Sequence, residues 1–444
     1  MSRIVPALRV HALVGIVMLI IGFGGGWATA KLLPVGGSVM ALLGPGMVAN
    51  ETTPDDLRSD FGTFWEAWNL VENEFYDQPN VDRTKMIQGA IKGMLATLDD
   101  PYTIYQEPDL AALTKEHMTG TQEGIGVYLR FGPDQAFVDR PIKNSPAIKA
   151  GLQQGDEIIA VDGVTVSSLI TGLDVNKANV EIASRIRGPK GSQVTLTIQR
   201  AEQQPFDVTI TRDEIIVSSV SGEVLSDGIA YIKITDFKSS TTEDFDTTMR
   251  ELLPAKPQGI VLDLRNNPGG YLTNAQEVLG RFYDGVALYE DIHGDALKEL
   301  RTITSSSDVS NYQIPVVVLV NGGSASASEI VAGALRDARP ATYLLGEKTY
   351  GKGSVQNIHK LSDDGSARIT FAHWFTPNKS EIHKVGITPQ FVVPYNEDVT
   401  NPVPCVADRA PAENQTVCAD SQLSWALKIL TTGETPPQEV TAAK

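Results

Sequence analysis

The run Pro315-Val-Val-Val-Leu-Val320 constrains the fold more than any other stretch of the chain. Its five apolar residues after the proline show no polar alternation, so a strand built from them is buried on both faces. Directly behind it comes Asn321-Gly-Gly-Ser-Ala-Ser-Ala-Ser-Glu329, a stretch rich in turn formers. Ile330, Val331, Ala334 and Leu335 then fall on one face of a helix over 328–337. Strands at 228–234 and 259–264 and helices at 242–253 and 273–282 repeat the unit. Later strands follow at 369–375 and 390–394. Alternating strands and helices of this kind predict an α/β fold with a mostly parallel, covered sheet.

Length and charge narrow the rest. The 444 residues leave room for two to four domains at roughly 100–200 residues each. The net charge is −17, and phosphates repel so acidic a body, which excludes nucleic acid as a partner. The six histidines are scattered without zinc-type spacing, so no metal or cofactor is expected.

Residues 12–30 are uncharged, with Arg3 and Arg9 before them and Lys31 after. As a helix they span about 28 Å, close to the thickness of a bilayer core. The leading positive charges predict a cytoplasmic N-terminus and an exported body. A cleaved signal peptide competes with that anchor, with its apolar core at 12–23 and Ala28-Thr-Ala30 as its cleavage site. On either reading, residues 1–33 place the body on the extracytoplasmic side of the cell envelope. Cys405 and Cys418 stand close together in a Pro-rich segment and can close a small loop. An exported location favours that disulfide over two free thiols.

The organisation follows from changes of texture. Residues 34–54 read as a Gly/Pro-rich linker. Residues 55–118 read as a helical region, with Phe61, Phe64, Trp65, Trp68, Leu70, Val71 and Phe75 at helical spacing and further helices over 84–98 and 110–117. These predict a small bundle packed on the body, with a role in a homodimer as the addition to that reading. In residues 119–213, short β-rich runs alternate with Gly, Pro and Asp turns. Residues 214–395 hold the α/β pattern, and 396–444 form a tail with one short helix. The 119–213 segment resembles a PDZ domain, through Gly124-Ile-Gly-Val-Tyr-Leu129, Ser145-Pro-Ala-Ile-Lys-Ala-Gly151 and Gly155-Asp-Glu-Ile-Ile-Ala-Val-Asp-Gly163. Such domains add a peptide C-terminus to a sheet edge as an extra strand. The resemblance implies that the N–H groups of Gly124, Ile125, Gly126 and Val127 receive the terminal carboxylate. Leu129 and Ile186 would then line a pocket for an apolar last side chain.

The turn at 321–329 carries the chemistry. A serine there sits at a helix N-terminus, where the dipole and free N–H groups favour developing negative charge. Ser324, Ser326 and Ser328 all qualify, and Ser326 with Glu329 also has the spacing of a capping box. A serine nucleophile needs a base. Lys352, flanked by Gly351 and Gly353, is a candidate, provided burial lowers its pKa. Gln356 follows four residues later, and it can orient Lys352 only if the segment is bent or helical. The strand-to-turn motif Ile260-Val-Leu-Asp-Leu-Arg-Asn-Asn-Pro-Gly-Gly270 offers glycine N–H groups as oxyanion donors. A Ser/His/Asp set drawn from His359 or His373 with Asp263 is also compatible with the sequence.

From about 55 to 395 the chain resembles the C-terminal processing, or tail-specific, serine peptidases. Three motifs carry the resemblance in order: Leu-Asp-Leu-Arg-Asn-Asn-Pro-Gly-Gly, Gly-Ser-Ala-Ser-Ala-Ser-Glu and Gly-Glu-Lys-Thr-Tyr-Gly-Lys-Gly-Ser-Val-Gln. It implies a crotonase/Clp-like α/β protease core with a PDZ domain and an N-terminal helical region. It further implies Ser326 as nucleophile, Lys352 as general base and Gln356 as the residue that orients the lysine. The N–H groups of Gly270 and Ala327 would form the oxyanion hole. No metal is implied, and the substrates would be proteins or peptides with free apolar C-termini. Gln390 stands where the family usually carries Asp, and Asn378-Lys379 replaces a usual Ser-Gly turn. The rivals are a catalytically inactive PDZ scaffold and an acyl-CoA enzyme of crotonase type.

Overall fold

A computed structural model of the chain describes residues 60–132, 134–173, 175–294, 296–304, 313–397, 402–406 and 417–437. The segment at 12–30 and the linker at 34–54 lie outside the described residues. Among the described residues no helix is long and apolar enough to cross a membrane. The chain divides into two units, Met1–Arg83 and Thr84–Lys444.

In the first unit, α1 (Gly62–Glu74) forms over the expected aromatic stripe. Phe64 packs edge-on against Phe61 and Trp65, and Trp65 against Trp68. None of the helix is buried, and Phe61, Trp65, Leu70, Val71 and Phe75 are exposed. The aromatic side chains of α1 pack on one another along the helix.

The second unit begins in α2 (Arg83–Ala96), which buries only Leu95. After β1 (Ile104–Gln106) comes α3 (Pro108–Thr119), ended by Gly120 at φ 76, the left-handed position where glycine costs least. The β-rich region comes next. Its strands are β2 (Thr121–Gly124), β3 (Val127–Gly132), β4 (Gln135–Pro141), β5 (Glu157–Val161), β6 (Val164–Thr165), β7 (Gln193–Gln199), β8 (Phe206–Thr211) and β9 (Asp213–Ile216). Its helices are α4 (Pro146–Lys149), α5 (Val166–Ile170) and α6 (Val175–Ile186). Strands β3-β4-β5-β7-β8 form one sheet with β6 on β5, and β2 pairs antiparallel with β9 where the chain enters and leaves. The alternation of β7 turns Val194, Leu196 and Ile198 into a core shared with Ile182 of α6.

The remaining elements run β10 (Val220–Val224), β11 (Ile229–Ile234), α7 (Thr241–Leu252), β12 (Gly259–Asp263), α8 (Leu272–Leu279), β13 (Val286–Asp291), β14 (Lys298–Arg301), β15 (Val316–Val320), α9 (Ala327–Ala338), β16 (Thr342–Gly346), β17 (Ser354–Lys360), β18 (Ser366–Phe375) and β19 (Phe391–Val392). The main sheet has the order β10-β11-β12-β15-β16-β19 and is parallel apart from β10. All of β15 is buried, as its composition dictates. Val316, Val318 and Val320 join the core with α7, α8 and α9, while Val317 and Leu319 face the opposite layer under α10 (Ser421–Thr432).

Two devices hold that second layer. The strands β20 (Pro402–Val403) and β21 (Cys418–Ala419) pair, and a disulfide joins Cys405 to Cys418. Beneath them Arg265 forks between Asp263 (2.5 Å) and Asp420 (2.9 Å), Tyr231 donates to Asp263 (2.7 Å), and Asp420 caps α10. A second, antiparallel sheet, β1-β18-β13-β14, carries β17 on the free edge of β18. The sequence reading recovered only part of β18 from this sheet.

Candidate active site

The turn between β15 and α9 is stitched to the β12 loop by two of its serines. Ser324 donates to the carbonyl of Leu264 (2.8 Å), and Ser328 donates to those of Asn267 and Ala325 (2.7 Å each). Their hydroxyls are committed to backbone. Of the three candidates, Ser326 is the one that lines the large cavity, about 820 Å³, at the end of the sheet. Ser326 has φ 56 and ψ −118, a region non-glycine residues rarely occupy, at a cost of about 1–3 kcal/mol.

Neighbouring backbone holds that conformation. A Cβ on Gly269, itself at φ +99, would lie 2.6 Å from Ser326 Cβ and 2.7 Å from the Ala325 carbonyl. A Cβ on Gly270 would meet the Phe237 carbonyl at 2.1 Å. Phe237 and Gly270 form a parallel bridge, in which Phe237 N–H donates to Gly269 and Tyr271 N–H to Phe237. In that pattern the N–H of Gly270 points away from the bridge. Among the described residues it finds no acceptor, and neither does the N–H of Ala327, which as first residue of α9 has no intrahelical partner. Both residues line the same cavity as Ser326.

Glu329 ties the turn to the lysine segment. One carboxylate oxygen accepts from the N–H of Ser326 (2.9 Å) and of Lys352 (2.8 Å); the other accepts from Gly351 N–H (2.8 Å) and Thr349 hydroxyl (2.5 Å). The side chain is fully buried, and burial pushes its carboxyl above the usual range against those four donors. The Ser326 contact is the one half of a capping box that the spacing suggested, but the carboxylate also spans two loops, which spacing alone does not reveal.

Gly353 lets this segment run against the loop after β18: a Cβ there would lie 2.4 Å from His383 N. Lys352 is half-buried, and its ammonium sits 5.0 Å over the ring of Tyr102. Burial lowers its pKa, the Arg368 cation lowers it further, and Asp100 and Glu329 act against both. Ser326 and Lys352 share the cavity but are not hydrogen-bonded to each other. Gln356 lies on β17 beside a β-bulge at Val355 and Gln356, and its amide donates to Ser354 Oγ (2.9 Å) and Thr370 Oγ1 (3.1 Å), with no bond to Lys352. The backbone is thus bent there, as an orienting role requires, while the side chain is engaged elsewhere. Asp263 is bound to Arg265 and Tyr231, and His373 stacks on His383 (4.4 Å), so neither is arranged with Ser326 as a Ser/His/Asp set.

Gly124, Ile125, Gly126, Val127, Leu129 and Ile186 all line a second cavity of about 290 Å³ between β3 and α6. Glu123, Asn179, Ala183 and Arg187 lead from it into a groove beside α3, and Leu113 of α3 borders both that groove and the Ser326 cavity. Tyr102 and Arg368 were not visible as site residues in the sequence. Tyr102 reaches Lys352 across two separate segments, and Arg368 reads as an ordinary strand residue.

Residues 228–393 match peptidase family S41, residues 137–200 a PDZ domain, and residues 19–109 the activating protease CtpB N-terminal domain. The carboxy-terminal processing protease CtpB of Bacillus subtilis is 37% identical over 335 residues, covering 74% of this chain and 66% of that protein. CtpA of the same organism is 36% identical, over 75% and 68% of the two chains. The carboxyl-terminal-processing protease of Synechocystis is 34% identical, over 85% and 86%. The chain thus spans about two thirds of the Bacillus relatives. A solved Bacteroides fragilis structure described as an S41 protease superposes with a TM-score of 0.51 at 18% identity, over 87% of this chain and 99% of that one, and speaks for the fold alone. Matched along most of their length by these relatives, and by the PDZ and S41 families in the same order, the chain belongs to the carboxy-terminal processing proteases, serine-type peptidases of family S41 that carry a PDZ domain.

Proposed function

We propose that the protein is an exported endopeptidase that cleaves other proteins near apolar C-terminal tails, with Ser326 as nucleophile and Lys352 as general base. The observation that carries this reading is the strained Ser326 at a helix N-terminus, sharing one cavity with a lysine whose pKa is lowered by burial. Ser326 Oγ attacks the scissile carbonyl carbon and Lys352 takes its proton. The oxyanion is received by the N–H groups of Gly270 and Ala327. Lys352 then gives that proton to the leaving amine, and a water attacks the acyl-serine in the same manner. For the first step Lys352, having lost its proton to solvent, leaves the face of Tyr102 and reaches Ser326 as the neutral amine. The Gln356 carbonyl oxygen, opposite its two committed N–H donors, is then the group that orients the amine.

The six residues around the 290 Å³ cavity support capture of a free apolar C-terminus. The Cys405–Cys418 disulfide supports an extracytoplasmic location, because such bonds persist in oxidising compartments. The charge-free segment at 12–30 supports a membrane anchor, and the exposed apolar face of α1 supports a homodimer.

The test uses a peptide with an apolar C-terminal residue, as the free acid and as the C-terminal amide. Cleavage of the acid at least about tenfold faster than of the amide, abolished in Ser326→Ala, is the expected result. Equal rates for acid and amide would remove the tail recognition, and full activity of Ser326→Ala would remove the mechanism.

A further inference from the structure

Arg368 stands on the middle strand of the second sheet, paired with Ile104 of β1 on one side and Ile358 of β17 on the other. Cross-strand partners share a face, so an isoleucine stands beside Arg368 on each side. Its Nε is buried and has no hydrogen-bond acceptor, and among the described residues no carboxylate pairs with it. Other buried arginines of the chain are partnered: Arg265 forks between Asp263 and Asp420, and Arg281 is bidentate on Asp246. Arg368 is half-buried and lines the Ser326 cavity together with Lys352, Gln356 and Ile358. An arginine in apolar surroundings without its anion is unfavourable, and a planar fork is shaped for a carboxylate. Burial weakens its hold on its proton in the absence of such a partner.

We propose that Arg368 is a specificity subsite that binds an acidic side chain of the substrate, Asp or Glu, close to the scissile bond. The chain-terminal carboxylate is assigned to the separate cavity between β3 and α6, which leaves a side-chain carboxylate as the anion for Arg368. This inference rests on the reading of Ser326 as the nucleophile in the same cavity.

The test is a set of internally quenched peptides with a common apolar tail, in which Glu or Gln is placed in turn at each of the positions flanking the cleavage site. Each is made as free acid and as C-terminal amide and assayed with the wild-type protein, Arg368→Met and Arg368→Lys. At one position the wild type is expected to cleave the Glu peptide about 10-fold or more faster than its Gln partner, since a hydrogen-bonded charged group is replaced by a neutral one. Arg368→Met is expected to cleave the two at one common rate, so the readout is the Glu-to-Gln ratio, because the substitution also removes a charge that lowers the Lys352 pKa. Arg368→Lys keeps the charge but loses the fork and should retain part of the preference. The Glu preference should be the same for acid and amide. No preference at any position in the wild type, or a preference that survives Arg368→Met, would overturn the subsite. So would equal slowing of the Glu and Gln peptides by Arg368→Met, since Arg368 would then act only through Lys352 or the fold. A Glu preference confined to the free acids would also overturn it, by placing the effect at the tail. Because the wild-type comparison needs no variant, poor folding of Arg368→Met leaves the proposal exposed to test. Failure of the wild type to cleave any peptide would instead overturn the reading of Ser326.

Discussion

On the serine side of the cavity the backbone is fixed from every direction. Gly269 leaves no room for a side chain beside the Ser326 Cβ, Ser324 and Ser328 bind the β12 loop, and Glu329 takes the Ser326 N–H. On the lysine side, the same Glu329 fixes the backbone of Lys352, but the ammonium rests on an aromatic face and finds no hydrogen-bond acceptor among the described residues. The proposed nucleophile is held in a strained conformation, while the proposed base is positioned through its main chain and less tightly at its tip. A cation–π contact of this kind is worth only about 0.5–2 kcal/mol. Moving the lysine is therefore cheap compared with moving the serine.

The largest effect is expected from Gly269→Val, which attacks the rigid half. The added side chain collides with Ser326 and Ala325 at a positive φ, and kcat/KM is expected to fall by about 100-fold or more, as misplaced reacting groups do. Steady-state kinetics beside a thermal melt would separate this from unfolding. Asp420→Ala strikes the far face of the same loop by leaving Arg265 with a lost partner. It is expected to lower stability by about 3–5 kcal/mol, read by denaturant unfolding, with kcat of the folded fraction little changed. Glu329→Gln should reach both halves at once. Its amide group must face either the Ser326 and Lys352 donors or those of Thr349 and Gly351, and a loss of about 1–3 kcal/mol is expected, split between stability and kcat. Tyr102→Leu touches only the loose half and should change kcat less than tenfold, in keeping with the cation–π magnitude. A collapse of activity in Tyr102→Leu would show that the lysine side is as tightly built as the serine side.

The pH profile sharpens the same contrast. Lys352 acts as a base only when neutral, so activity should rise with pH through its pKa. That pKa lies below the ordinary lysine value of about 10.4 because burial and Arg368 disfavour the cation. Arg368→Met removes one of those two causes and should move the rising limb to higher pH.

How much of this was legible in the sequence depended on whether the signal was local. The unbroken apolar run at 316–320 announced a two-sided strand, and all of it is buried. The three serines of the turn looked alike, because only their hydrogen bonds to the distant Leu264 and Asn267 distinguish them. The aromatic stripe of α1 had the correct period, but period says nothing about burial, and among the described residues none of the helix is buried. Strands β13, β14 and β17 carry no clear signal, since they pair within an antiparallel, half-exposed sheet whose residues alternate weakly. Tyr102 and Arg368 enter the site through pairing between β1, β17 and β18, which no local pattern encodes.

The central claim is that Ser326 is the nucleophile and Lys352 its base. The most direct measurement is the rate of active-site labelling by a fluorophosphonate, with the modified residue located by peptide mass, in the wild type, Ser326→Ala and Lys352→Met. The account predicts a single label on Ser326 in the wild type, none in Ser326→Ala, and labelling slowed by about 100-fold or more in Lys352→Met. A label on another residue, or an unchanged rate in Lys352→Met, would contradict it.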